Sequence, residues 1–312
     1  MGTTGERGSR RASAALVLAL TTALVLSGCG AGDGEVVGGT PTESVTTQDQ
    51  PLLQVSSSGG YTLFGTDFST VAQLTVYPDG RAVTHGPQIA IYPPPALPSL
   101  QLHTLREADV DALVDLAREA RLLADGPDYG SPPVADAPVT SVTLRVDGST
   151  YLHEVDGLGV EGLEDTSLPG VSPQAREARE VLSTFVQDAQ ELVTAAADGV
   201  PYQPGSYAVL VLPVDDVTSD DGAERNGEGN GAAAPPEPTA PDRPTVLPWT
   251  VDGVTLADAG QCVLVTGDQA RDLEDALADA DLLTRFEQDD VVYDVWVRPL
   301  LPEEQGCADA QP

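Results

Sequence analysis

The chain has 312 residues, with 49 acidic side chains against 15 basic ones and a formal charge of -34 at pH 7. Every basic residue is an arginine, which excludes chemistry that needs a lysine, from the P-loop and the kinase lysine to Schiff bases and the Ser-x-x-Lys acylating pair. The charge also argues against nucleic acid as a partner, because phosphate contacts need clustered cations.

Residues 1–28 read as an export signal, with Arg7, Arg10 and Arg11 ahead of an apolar run from Ala12 to Leu26. That run is shorter than the roughly 20 residues a bilayer span needs. It ends in Leu26-Ser27-Gly28-Cys29. On these residues the sequence resembles the bacterial lipoprotein family, whose signal peptides end in a small-residue lipobox before a cysteine. The resemblance covers this segment alone. It implies cleavage after Gly28, lipid attachment at Cys29 and a place at the cell membrane, on its extracytoplasmic face. An ordinary secretory signal containing a cysteine is the alternative. The composition, without lysine and rich in Ala, Gly, Val and Asp, resembles that of actinobacterial proteins. Cleavage would remove Arg7, Arg10, Arg11 and Glu6 and leave a mature charge of -36.

With Cys29 lipidated, Cys262 and Cys307 remain as a pair in a compartment that permits disulfides. Two unpaired thiols are the alternative, since spacing alone does not bring them together.

Residues 29–59 carry Gly, Thr, Ser, Gln and acids with few large apolar side chains, the composition of a flexible tether reaching roughly 30 Å. A first α+β domain is expected over 60–200. Ala72 to Thr84 alternates around Pro78-Asp79-Gly80, and Val139 to Val155 around Asp147-Gly148, so both read as hairpins. A helix follows each: one with a capping box at Thr104 and Glu107 and a Gly126-Pro127 stop, the other opening at Ser172-Pro173 and ending at Gly199. Leu74-Thr75-Val76-Tyr77-Pro78-Asp79-Gly80 and Val142-Thr143-Leu144-Arg145-Val146-Asp147-Gly148 make residues 72–193 similar to a small α+β domain of unknown function found in bacterial secreted proteins. That resemblance implies a fold and no activity.

A second α+β unit is expected over 201–312, interrupted by a disordered acidic insert at 218–245. Its elements are a strand at Tyr207 to Pro213, an Asp252-Gly253 hairpin, a strand through Val263 to Val265, a helix capped by Thr266 with Gln269, and a strand at Val291 to Pro299. The spacing Tyr207-x-Val209-x-Val211-x-Pro213 echoes Tyr293-x-Val295-x-Val297-x-Pro299, which reads as two neighbouring strands. The expected fold class is thus α+β, antiparallel hairpins with helices packed on one face.

Catalytic motifs are missing: no Gly-x-Ser-x-Gly, His-Glu-x-x-His, Cys-x-x-Cys or Gly-x-Gly-x-x-Gly occurs. His85, His103 and His153 are too few for a sequence-local zinc site, and His153 and Asp156 should diverge on a strand. Paired carboxylates are uninformative in so acidic a chain. Within the insert, Asp221, Gly222 and Glu228 approach an EF-hand loop, but Val217 and Ser219 occupy two ligand positions and defeat the match. Pro93-Pro94-Pro95-Ala96-Leu97-Pro98 reads as polyproline II, a docking ligand or a stiff connection into the following helix. Trp249 and Trp296 suit core packing better than a carbohydrate platform. The resulting expectation is a surface lipoprotein that binds a protein or envelope ligand, without catalysis, metal or cofactor. The alternative is an envelope hydrolase with an unrecognised carboxylate or metal site.

Overall fold

Strands whose alternate residues are apolar assemble into two sheets, each with a helical layer on one face. The computed structural model describes residues 48–60, 62, 65–159, 170–196, 198–214, 244–257 and 262–308. In chain order the elements are β1 (Leu53–Ser58), α1 (Thr66–Ser69), β2 (Leu74–Val76), β3 (Arg81–His85), β4 (Leu100–Thr104), α2 (Glu107–Glu119), β5 (Val139–Val146), β6 (Ser149–Asp156), α3 (Pro173–Ala196) and β7 (Val200–Pro201). The second half supplies β8 (Ser206–Pro213), β9 (Val246–Pro248), β10 (Cys262–Thr266), α4 (Asp268–Leu277), β11 (Arg285–Gln288) and β12 (Val291–Pro299). The chain is α+β. Its sheets run β6-β5-β1-β2-β3-β4-β7 and β10-β8-β12-β11-β9, and β9 with β11 is the one parallel pair among the described strands.

Both expected hairpins of the first half form, as β2–β3 and β5–β6. The echo between the Tyr-x-Val-x-Val-x-Pro strands also holds: β8 and β12 pair antiparallel, with Tyr207 opposite Pro299 and Pro213 opposite Tyr293. In the first sheet, Leu53 and Val55 of β1, Leu74 and Val76 of β2, and Val142 and Leu144 of β5 point to one face. There they meet Leu113 and Ala117 of α2 and Leu182, Phe185 and Ala189 of α3. In the second sheet, Tyr207, Val209, Val265, Phe286 and Val297 pack under Ala270, Leu273 and Leu277 of α4.

Several expectations are corrected. The tether expected through residue 59 stops short, because Leu53–Ser58 is β1, an interior strand paired with both β2 and β5. Its polar Gln-x-Ser-Ser-Ser run resembles linker composition, yet Leu53 and Val55 are fully buried and neighbours satisfy its backbone on both edges. The box expected at Thr104 and Glu107 does not form, since Thr104 ends β4 and the backbone stays extended through Arg106 (φ -80, ψ 157). Instead the Asp109 carboxylate accepts from the Arg106 N–H (3.1 Å). α2 also stops before Gly126, in a Schellman turn with Arg121 at φ 59 and the Leu122 N–H donating to the Ala117 carbonyl (2.9 Å). Asp252-Gly253 is a turn but not a hairpin, because β9 pairs with β11 and β10 pairs with β8. Thr266 ends β10, and Gln269 donates to the Asp252 carbonyl (3.1 Å) instead of closing a box. The insert expected at 218–245 lies outside the described residues apart from its last two positions.

The boundary expected at 200/201 falls inside β7, which completes the first sheet beside β4, and both sheets belong to one compact unit. The seam has two apolar clusters. One joins Tyr77, Val83 and Leu100 to Leu301, and the other joins Phe68 of α1 to Ala208 and Leu300. Gly65, at φ 80, lies so close to the Trp296 ring that a Cβ there would sit 2.2 Å from the indole Cε2.

Candidate interaction site

Cys29 lies outside the described residues, as do Val217, Ser219, Asp221, Gly222 and Glu228. Cys262 and Cys307 are joined by a disulfide, with Cα atoms 5.9 Å apart. His153 is buried, and its Nε2–H donates to the Leu122 carbonyl (2.9 Å). Its Nδ1 therefore accepts from the Tyr129 hydroxyl (2.8 Å). Burial pushes that hydroxyl up to about 12. The nearby Asp156 faces elsewhere and accepts from Ser131 (2.7 Å). His85 bonds the Val71 carbonyl, and His103 bonds Thr84. Among the described residues, no group of three His, Cys, Asp or Glu side chains is placed to hold a metal ion.

Trp249 is core: its Nε1–H donates to the Val254 carbonyl (2.8 Å), and its ring meets Phe286 edge-on at 5.4 Å. Trp296 lies on the opposite face of the same sheet, with Phe68, Ala208 and Leu300.

The seam holds a polar cluster. Glu303 accepts from Gln54 (2.8 Å) and from the Tyr77 hydroxyl (2.5 Å). Burial pushes its carboxyl above the usual range, against the opposing pull of the Tyr77 hydrogen bond. The Tyr77 hydroxyl is raised too, first by burial and then by the Glu303 charge. The Arg81 guanidinium stacks on the Tyr77 ring, 4.8 Å from its centroid. This network ties the C-terminal segment to the first sheet.

The connection from β3 to β4 departs most from an ordinary surface. It exposes Ile89 (68%), Ile91 (55%) and Tyr92 (77%), three large apolar side chains within four residues. Scattered exposed apolar residues are common, but adjacent ones mark contact surfaces. Both ends of the loop are fixed. The Gly86 N–H donates to the Ser99 carbonyl (2.8 Å), the Ala96 N–H to Ala280 (3.0 Å), and the Leu282 N–H to Pro94 (2.9 Å). Ala96 and Leu97 also pack on the second core. The proline run thus anchors the loop across both sheets, and the residues just before it project. Sequence reasoning singled out the prolines and passed over these side chains. One signal was available: between Arg81 and Arg106 the chain carries no Asp, Glu or Arg.

No family model, characterised protein or solved structure matches the chain. Among the described residues, no helix is long and apolar enough to cross a membrane.

Proposed function

We propose that this chain is a non-catalytic binding protein of the cell envelope, held at the extracytoplasmic face by lipid on Cys29, and that its β3–β4 loop engages a protein partner. The observation that carries the reading is the exposed Ile89, Ile91 and Tyr92 on a loop fixed at both ends. A loop already held in place loses little entropy on binding, and burying each such side chain is worth about 1.5–3 kcal/mol.

Strand direction supports a protein over the anchoring membrane. β1 and β3 both pair antiparallel with β2, so they run the same way. The chain enters the described fold beside the start of β3, where Asp49 bonds Arg81 (2.9 Å). The loop leaves the other end of β3, about 15 Å further on at the rise of a strand. It therefore faces away from the end at which the tether arrives.

The test is photo-crosslinking in intact cells from a probe at position 91, with Ile89→Ser/Ile91→Ser/Tyr92→Ser as the competing variant. The expected outcome is one dominant adduct that the triple variant fails to compete for, its affinity cut about 100-fold or more with the melting temperature unchanged. A Cys29→Ser chain should be released to the medium or accumulate as precursor. Equal competition by the triple variant would overturn the loop assignment.

A further inference from the structure

We infer that the groove between α2 and α3 is a second docking surface, one that takes a basic amphipathic helix from a partner protein. The two helices cross the sheet in opposite senses. α2 leaves β4 and ends where Leu122 bonds His153 of β6. α3 begins where Arg179 bonds the Asp156 and Gly157 carbonyls after β6, and it returns to β7 beside β4. Their inner faces are buried on the sheet. Between their outer faces lies a cavity of about 330 Å³.

Its floor is apolar, made by Leu116, Ala120, Val181 and Phe185, and its rim is Glu119, Glu180 and Asp188 with Thr184. No arginine lines it. Arg118 instead pairs with Asp115, Arg176 donates to the Val171 carbonyl, and Arg179 is buried. Val181 is exposed despite its place in the floor. Glu180 and Asp188 lie eight positions apart on α3, about 12 Å along the axis.

That length seats about two turns of a third helix, with apolar anchors at i, i+3, i+4 and i+7 against the floor and cations toward the three carboxylates. Charge selects the occupant. A second copy of this chain would bring a formal charge of -34 to an acidic rim, and an anionic lipid surface would be repelled in the same way. A helix carrying Arg or Lys beside an apolar stripe satisfies both rim and floor.

Any cationic peptide is drawn to so acidic a protein, so the experiment must separate the groove from bulk charge. The probe is an 18-residue peptide with Leu at i, i+3, i+4 and i+7 and Arg on the flanks of that stripe, read by fluorescence anisotropy on the purified protein. Its scrambled isomer has the same charge. The designed helix should bind at least about tenfold more tightly than the scramble, and Glu180→Arg/Asp188→Arg should weaken it by about tenfold or more.

The decisive variant is Val181→Asp, which makes the protein more acidic and fills the floor with charge. Weaker binding is expected. Unchanged or tighter binding, or equal binding of the scramble, would overturn the proposal. If Val181→Asp melts early, Thr184→Glu on the exposed rim puts the same question. Ile91→Ser should leave peptide binding unchanged, so failure here and failure of the loop assignment are distinct results.

Discussion

Glu303 is a partly buried carboxyl at the seam whose neighbours pull its titration in both directions. Its two oxygens accept from Gln54 and Tyr77, and the nearby Glu304 charge adds to the burial that raises its pKa. Arg145 pulls the other way and does not reverse the direction. A carboxyl with a raised folded pKa keeps its proton in the native state over an interval in which the unfolded chain has lost it. Stability from this group is therefore fully present below the ordinary carboxylate pKa and declines as pH rises to the raised value. Glu303→Gln removes the titration and keeps an acceptor for Tyr77, while the Gln54 amide can turn over to meet the new NH2. Urea melts from about pH 4 to about pH 8 should show the variant gaining on the wild type as pH rises. A difference that stays flat across the series would show that this carboxyl does not titrate abnormally.

Among the elements, hairpins with a distinctive turn were legible and strands defined by distant neighbours were not. Asp147-Gly148 occupies the left-handed region at both positions (φ 52 and 76) between β5 and β6, and Asp-Gly announces such a turn. The β11–β12 turn has the same geometry at Asp289 and Asp290 (φ 55 and 63) without the glycine. Nothing in Arg285-Phe286-Glu287-Gln288 alternates strongly, so that strand was missed. Asp290→Gly should relieve the backbone cost and one of two adjacent like charges, raising stability by about 1 kcal/mol in a denaturant melt. A loss of stability would mean that the Asp290 side chain contributes something its backbone strain conceals. β1 and β4 went unread for related reasons. β1 looks like a Ser-rich linker until β2 and β5 flank it, and β4 follows a proline run that reads as a connection. The candidate loop shares this limit: Ile89 and Tyr92 could as well have been core residues, and only the fold decides that they are exposed. Glu303 was beyond sequence reasoning altogether, since its partner Tyr77 lies 226 residues upstream.

For the whole molecule, the disulfide reaches further than its position in the second half suggests. Taken from the sequence, a Cys262–Cys307 loop would staple the C-terminus to its own unit, and reduction would weaken that unit alone if the two units unfold separately. The structure gives the segment two duties. After β12, the Leu300 N–H donates to the Ser206 carbonyl (3.0 Å) and Glu304 pairs with Arg298, both within the second half. Between those contacts Leu301 packs against Tyr77 and Val83, and Glu303 bonds the first sheet. Cys307 then returns the chain to β10. Closing a 45-residue loop is worth about 4 kcal/mol from chain entropy, and the segment so constrained is the one that carries the seam. Reduction should therefore lower one shared transition. Hydrogen exchange at Leu53 and Val55, in the interior of the first sheet, should quicken together with the loss of Trp249 fluorescence from the second core. If reduction releases Trp249 and leaves the Leu53 and Val55 amides protected, the halves unfold separately and the seam does not couple them.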